Sequence, residues 1–326
     1  MKVLGWGVFG FLVLKLLPGL RDALDSLERV SPEWILVAVA LETLSEFGFV
    51  LSWRSIIDPE NLLVRDGRGR RTATRAAWAQ LGGGMLVPGG SLASIGVGAW
   101  ILRHFGMPAK MIAQRQFNLS FVNTAVDALA LIAFGLGLAT GTFPGTRDPL
   151  LTVVPAAVAA GAIAAALVIS RRAATFAERL NDDHPKAAAS ISSVAGAVHD
   201  TEQILFHRGG MRSLIGALAY LGFDALVLWT AFSAIHTQPP PGFAVVMMAY
   251  IIGALGASIP LPAGIGAVGG ITGMLIVYGV GHNPAVAAVV IYEAIGLLVP
   301  LLGGAIAYAF LKRQFGPMQT VTNGAT

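Results

Sequence analysis

Apolar residues run through this chain in long continuous blocks separated by short polar stretches. The blocks cover residues 3–20, 34–52, 77–102, 118–140, 150–169, 213–235, 243–281 and 284–311. Apolar and polar positions do not alternate inside them, so they predict helices and not the strands of a barrel. Most approach the ~20 residues that a helix needs to cross a bilayer. Two blocks are interrupted. Block 77–102 contains Gly82-Gly83-Gly84 and Pro88-Gly89-Gly90, and block 243–281 contains Pro260-Leu261-Pro262-Ala263-Gly264-Ile265-Gly266. Proline removes a helical hydrogen bond and clustered glycine weakens a helix further, so both blocks are expected to break there. A break at membrane depth is tolerated only where protein or water satisfies the freed backbone.

The basic residues then suggest a topology. Loop 53–76 carries Arg54, Arg65, Arg68, Arg70, Arg71 and Arg75. Loop 170–212 carries Arg171, Arg172, Arg179, Lys186, Arg208 and Arg212, and the tail has Lys312 and Arg313. The positive-inside rule makes these cytoplasmic. Loops 21–33, 141–149 and 236–242 are balanced, acidic or uncharged and are expected outside. If 77–102 crossed once, Arg103, Lys110, Arg115 and the whole 170–212 loop would fall outside. If it enters from the cytoplasm, turns at Pro88-Gly89-Gly90 and returns, every basic loop stays inside. The same logic makes 243–281 a hairpin entered from outside, with both chain termini cytoplasmic.

The chain also repeats. Leu81–Gly90 lies over Leu255–Gly264, Gly106-Met107-Pro108-Ala109 over Gly281-His282-Asn283-Pro284-Ala285, and Trp53 over Trp229, at offsets of about 174–176 residues. Each half reads helix, helix, broken hairpin, helix, and the halves start on opposite sides. Inverted repeats with interrupted helices at matching places are a transporter architecture whose breaks point to the binding site. The fold expected is therefore an all-α integral membrane protein. It would have about six full spanning helices and two re-entrant hairpins in a single transmembrane domain, 1–326. Residues 1–140 form the first half (hairpin 77–102) and 150–312 the second (hairpin 243–281). Residues 170–212 are expected to be a cytoplasmic amphipathic connection and 313–326 a flexible tail.

Composition agrees with lipid as the solvent. Apolar residues make up 55% of the chain and charged residues 12%, with a mean hydropathy of +0.70. A soluble domain carries roughly 25% charged residues. The absence of cysteine excludes disulfides, iron–sulfur clusters and thiolate zinc sites. A pI near 9.6 could suggest nucleic acid, but the arginines sit in loops between apolar blocks, as a membrane protein requires. Block 3–20 has no small-x-small cleavage site after it and is expected to be retained as a helix. The six histidines show no metal spacing, and no P-loop, His-Glu-x2-His or Gly-x-Ser-x-Gly motif occurs.

Charged residues inside the blocks are functional candidates because they cost several kcal/mol in a bilayer. Glu42 and Glu46 are four apart on one helix face, a spacing that suits proton coupling or cation attraction, or pairing with Arg103 or Arg115. Asn118 and Asp127 share the fourth block, Asp224 is midway along the sixth, and Glu293 follows Tyr292 in the last. The hairpin tips are the sharper candidates. Broken helix ends offer unpaired N–H groups and a positive dipole end to an anion. Pro88, Gly89, Gly90, Pro260, Pro262, Gly264 and Gly266 would allow close backbone approach by a phosphate headgroup, with Arg103 and Arg115 adding charge. The alternative is that these glycines serve tight helix packing.

These features resemble the lysylphosphatidylglycerol synthase transmembrane-domain family, the YbhN-like membrane proteins. The family's Pro-Gly-Gly-Ile-Gly turn reads here Pro262-Ala263-Gly264-Ile265-Gly266. Its Ala-x3-Tyr-Arg reads Ala288 to Tyr292-Glu293, and its Pro-x2-Gly reads Pro300-Leu301-Leu302-Gly303. Pro88-Gly89-Gly90 and Arg103 also fit. The chain departs where the family has a Glu soon after the turn, here Gly269, and an Arg after the Tyr, here Glu293. The resemblance implies translocation of an anionic or aminoacylated phospholipid, or a lipid-linked precursor, across the bacterial inner membrane. The soluble synthase domain of bifunctional relatives is expected to be absent, so synthase activity is not implied, and the chain is expected not to be an enzyme and to use no cofactor. Membrane lipids with anionic headgroups are the expected partners and nucleic acid is not. Self-association and a lipid-modifying enzyme partner are compatible with the pattern. Rival readings are a proton-coupled small-solute transporter, an intramembrane lipid-modifying enzyme and a non-transporting scaffold.

Overall fold

A computed structural model of the chain describes residues 30–59, 70–86, 91–180, 210–255 and 265–315. All regular structure among these residues is helical: α1 Pro32–Ile57, α2 Arg70–Leu86, α3 Ser91–His104, α4 Ala109–Ala139, α5 Pro149–Leu180, α6 Gly210–Ala234, α7 Phe243–Ala254, α8 Ile265–Val277 and α9 His282–Phe315. Five of these, α1, α4, α5, α6 and α9, are long and apolar enough to cross a membrane. The first apolar block, 3–20, lies outside the described residues.

Local chemistry sets the helix ends. Pro149 occupies the first turn of α5, where its missing N–H costs nothing, and the Asp148 Oδ1 accepts the Leu150 N–H at 3.0 Å. The short helices α3 and α8 end alike. Gly106 takes φ +79° and donates to the Arg103 carbonyl, while Met107 donates to Leu102. Gly279 takes φ +93° and donates to Ile276, while Val280 donates to Leu275. Both are glycine caps that return two otherwise orphaned carbonyls to hydrogen bonding. The element order long, short, short, long occurs twice, in α1–α4 and α6–α9. The last three elements of each set begin about 173–174 residues apart (Arg70 and Phe243, Ser91 and Ile265, Ala109 and His282).

Three expectations change. The triplet Gly82-Gly83-Gly84 does not break a helix, because α2 continues through it to Leu86. Both arms of the first hairpin extend past 77–102, so Arg70, Arg71 and Arg75 are helical, not loop, residues. The connection 170–212 is helical at both ends, since α5 runs to Leu180 and α6 starts at Gly210. Extra turns form there because flanking Arg, Ala and Glu propagate a helix well once it is nucleated.

The chain divides into two compact units. The first comprises Met1–Glu42, Ala133–Ala156 and Phe223–Gly296, and the second Thr43–Ile132, Ala157–Gly222 and Leu297–Thr326. Both arms of the hairpin α2–α3 belong to the second unit and both arms of α7–α8 to the first.

Within the first unit, α7 and α8 approach through glycine. A Cβ on Gly253 would lie 2.4 Å from the Ile271 Cα, so only hydrogen fits there. Trp229 packs edge-on against Phe243 and donates to the Pro241 carbonyl at 2.9 Å. Within the second unit, α2 meets α9 at Gly82 and Gly304. A Cβ on Gly82 would lie 2.6 Å from the Pro300 carbonyl oxygen, and one on Gly304 2.6 Å from the Gly82 Cα. Gly48 of α1 and Gly216 of α6 make a similar crossing. Close backbone approach at small residues is how helices gain dispersion contact where lipid offers no hydrophobic drive.

Candidate functional site

Among the described residues each unit contains a buried polar node; that of the second unit joins α1, α2 and α4, and that of the first joins the corresponding α6, α7 and α9, with Glu42 of α1 beside it. In the second unit the centre is Gln80 on α2. Its Oε1 accepts the Trp53 indole N–H of α1 at 2.8 Å and the Gln116 amide of α4 at 2.9 Å. Its own amide donates back to the Gln116 Oε1 at 3.1 Å, which completes a reciprocal amide pair. Trp53, Gln80 and Gln116 are all buried. The second arm is tied in as well. Ser94 donates to the Gln80 carbonyl at 3.2 Å. Gly98 lies so close that a Cβ there would overlap the Gln80 amide. A glutamine side chain in an apolar block is tolerable because its hydrogen-bonding capacity is spent inside the protein.

In the first unit the centre is Asp224 on α6. Its Oδ2 accepts the Tyr250 hydroxyl of α7 at 2.5 Å and the Tyr292 hydroxyl of α9 at 3.2 Å. The two rings meet edge to face, 6.0 Å apart. Glu42 of α1 and Glu293 of α9 also act on the Asp224 carboxyl. One turn after Tyr292, Gly296 faces Glu42: a Cβ there would stand in ordinary contact, 3.9 Å from its Oε1.

The sequence candidates are thus distributed. Glu42, Asp224, Tyr292 and Glu293 come together in the first node. Glu46 is buried on α1 and belongs to the second unit. Asn118 is buried on α4, two residues beyond Gln116 and therefore on another face of the helix. Asp127 is half-buried further along α4, and Arg115 donates to the Ile57 carbonyl at 2.7 Å. Arg103 is exposed in the last turn of α3. The tip residues Pro88, Gly89, Gly90, Pro260, Pro262 and Gly264 lie outside the described residues, and Gly266 falls in the first turn of α8.

Gln80, Gln116 and Tyr250 were not among the sequence candidates. The readable signal was polarity within apolar blocks: Gln80 stands in 77–102 and Tyr250 in 243–281, each on the first arm of its hairpin. Uncharged side chains are easily passed over in a search for charge.

Comparison with protein families matches residues 3–304 to the family described as Lysylphosphatidylglycerol synthase TM region. Among curated proteins the search finds no match.

Proposed function

Given that the chain belongs to the lysylphosphatidylglycerol synthase TM-region family, which it matches over residues 3–304, we propose that it moves a lipid across the membrane. The cargo is an anionic or aminoacylated phospholipid or a lipid-linked precursor, carried without chemical change. The family supplies the lipid-related role. The observation that carries transport is the repeated hairpin: two interrupted helical pairs, each wholly within one compact unit and each held by a buried polar node. A scaffold gains little from burying such groups, whereas interrupted helices in repeated halves are how transporters build a site. The hairpin tips remain the proposed headgroup contacts.

The proposed topology is the inverted one. Every described Lys and Arg except Arg147 belongs to the second unit. The positive-inside rule then favours the cytoplasm for the ends of α2 and α3 and the outside for those of α7 and α8. This is the arrangement expected of a multi-pass protein of the bacterial inner membrane with cytoplasmic termini.

The test is identification by mass spectrometry of lipid co-purified with the protein, followed by reconstitution. Vesicles carrying the identified lipid are expected to expose it to an impermeant headgroup reagent faster than protein-free vesicles. Equal rates would overturn the lipid reading. A second reading, proton-coupled movement of a small solute, draws on the buried carboxyl groups of Glu42 and Asp224. It predicts solute uptake driven by a pH gradient, lost in Glu42→Gln and Asp224→Asn, which remove the titratable groups and keep their size.

A further inference from the structure

The two nodes differ in chemistry and in which element carries the centre, the hairpin arm α2 or the long helix α6, but they join corresponding elements. Trp53, Gln80 and Gln116 lie on α1, α2 and α4; Asp224, Tyr250 and Tyr292 lie on α6, α7 and α9. In the repeated element order these are the same three places: the long helix before a hairpin, the hairpin's first arm and the long helix after it. Gln116 and Tyr292 stand in the same register as Pro108 and Pro284, and Trp53 in the same register as Trp229. Tyr250 is displaced by one helical turn from the position matching Gln80, so both project from the same face of their arm.

We propose that Gln80 and Asp224 are positioning residues that fix the setting of their hairpins, the first through a neutral amide node and the second through an acid–phenol node. Glycine contacts set how closely the helices approach, but dispersion is not directional. A hydrogen bond between buried groups is, since its energy falls steeply with distance and angle. In the second unit the node reaches both arms, through Ser94 and the contact at Gly98. In the first unit it holds α7 at Tyr250, and α7 in turn seats α8 where Gly253 meets Gly270, one turn further along. The groups facing Asp224 are Glu42 from α1, Tyr250 from α7, and Tyr292 and Glu293 from α9. The consequence for transport rests on the lipid-movement reading; the geometry does not.

Two glycines are natural reporter positions. A Cβ at Gly96 on α3 or at Gly269 on α8 meets nothing within 4 Å, and the chain has no cysteine to interfere. Gly96→Cys and Gly269→Cys, each carrying a nitroxide in the full-length protein in lipid nanodiscs, would be measured for label mobility. Gln80→Leu and the milder Gln116→Leu are expected to raise mobility at 96 several-fold and leave 269 unchanged. Asp224→Leu and the milder Tyr250→Phe are expected to do the reverse. Asp224→Asn keeps an oxygen that accepts both tyrosine hydroxyls, so it should restore the setting that Asp224→Leu loses. Lipid-movement rates in the same variants should fall with the gain in mobility. Equal loosening at both reporters in the mild variants, or no change at either, would overturn the proposal. So would an Asp224→Asn protein as mobile as Asp224→Leu. Altered mobility with no lipid movement even in the unsubstituted protein would leave the positioning role standing and sink the transport reading instead.

Discussion

Gly82 shows what a single missing Cβ decides. The sequence offers the same residue as helix breaker and as packing surface, and the structure uses it for packing, with the α9 backbone against its Cα. Gly82→Ala is therefore expected to destabilise the detergent-solubilised protein by about 1–3 kcal/mol, as overpacking typically does. Gly161→Ala, on an exposed face with nothing within 4 Å of its Cβ, should be near neutral. Thermal unfolding of both variants checks this, and equal melting temperatures would contradict the contact. The tip glycines answer a different question. Gly90→Leu and Gly264→Leu should lower bound lipid per purified protein, because a leucine side chain blocks headgroup approach to the backbone. Gly161→Leu serves as the control, and unchanged lipid in both tip variants would move the site elsewhere. At Asp148 the loss of the helix cap in Asp148→Ala should cost about 1 kcal/mol.

Elements carry the topology. Short helices α2 and α3, joined across residues 87–90, and α7 and α8, joined across 255–264, are too short to span singly and share a unit pairwise. The proposed topology, in which both hairpins return to the side they enter, predicts that a cysteine introduced near residue 108 is shielded from an impermeant thiol reagent outside intact cells. Cysteines near 145 and 239 should label. Labelling at 108 would show that α2–α3 crosses, and the inverted arrangement would go with it. The breaks themselves were legible because proline and paired glycine act locally on the backbone, whatever surrounds them. The run of three glycines was misread for a related reason: glycine lowers helix propensity only by about 1 kcal/mol per residue, which tertiary contact at Gly82 and Gly83 readily offsets.

Across the described residues, charge and buried polarity are separated as a membrane demands. Arg75 stacks 4.6 Å over the Phe310 ring and so keeps its charge at the edge of the apolar body, not within it. Asp224 and Gln80 lie inside, each with its hydrogen bonds made by the protein. The family relation makes lipid the first cargo to test. In reconstituted vesicles, Glu46→Gln is expected to leave the protein inserted and slow lipid movement. If Glu46 is instead a structural partner, its replacement should mainly lower the melting temperature, since an interior charge left without its partner costs about 3–5 kcal/mol.

The sequence by itself determined the solvent, the helices, the places where they break and the family, because continuous apolarity, proline and net loop charge act through short-range physics. Glu42, Asp224 and Glu293 were visible as anomalies for the same reason: a carboxyl in an apolar run is costly wherever the chain later goes. Their assembly was not visible. Glu42 and Asp224 lie on α1 and α6, far apart along the chain, and only folding brings them together. Glu42 and Glu46 share α1 one turn apart, and only the structure shows both to be buried and Glu42 to lie with Asp224. Gln80, Gln116 and Tyr250 gained their meaning only from the partners that tertiary structure supplied. A hydrogen bond depends on positions in space to a fraction of an ångström, and sequence periodicity carries no such information across a hundred residues.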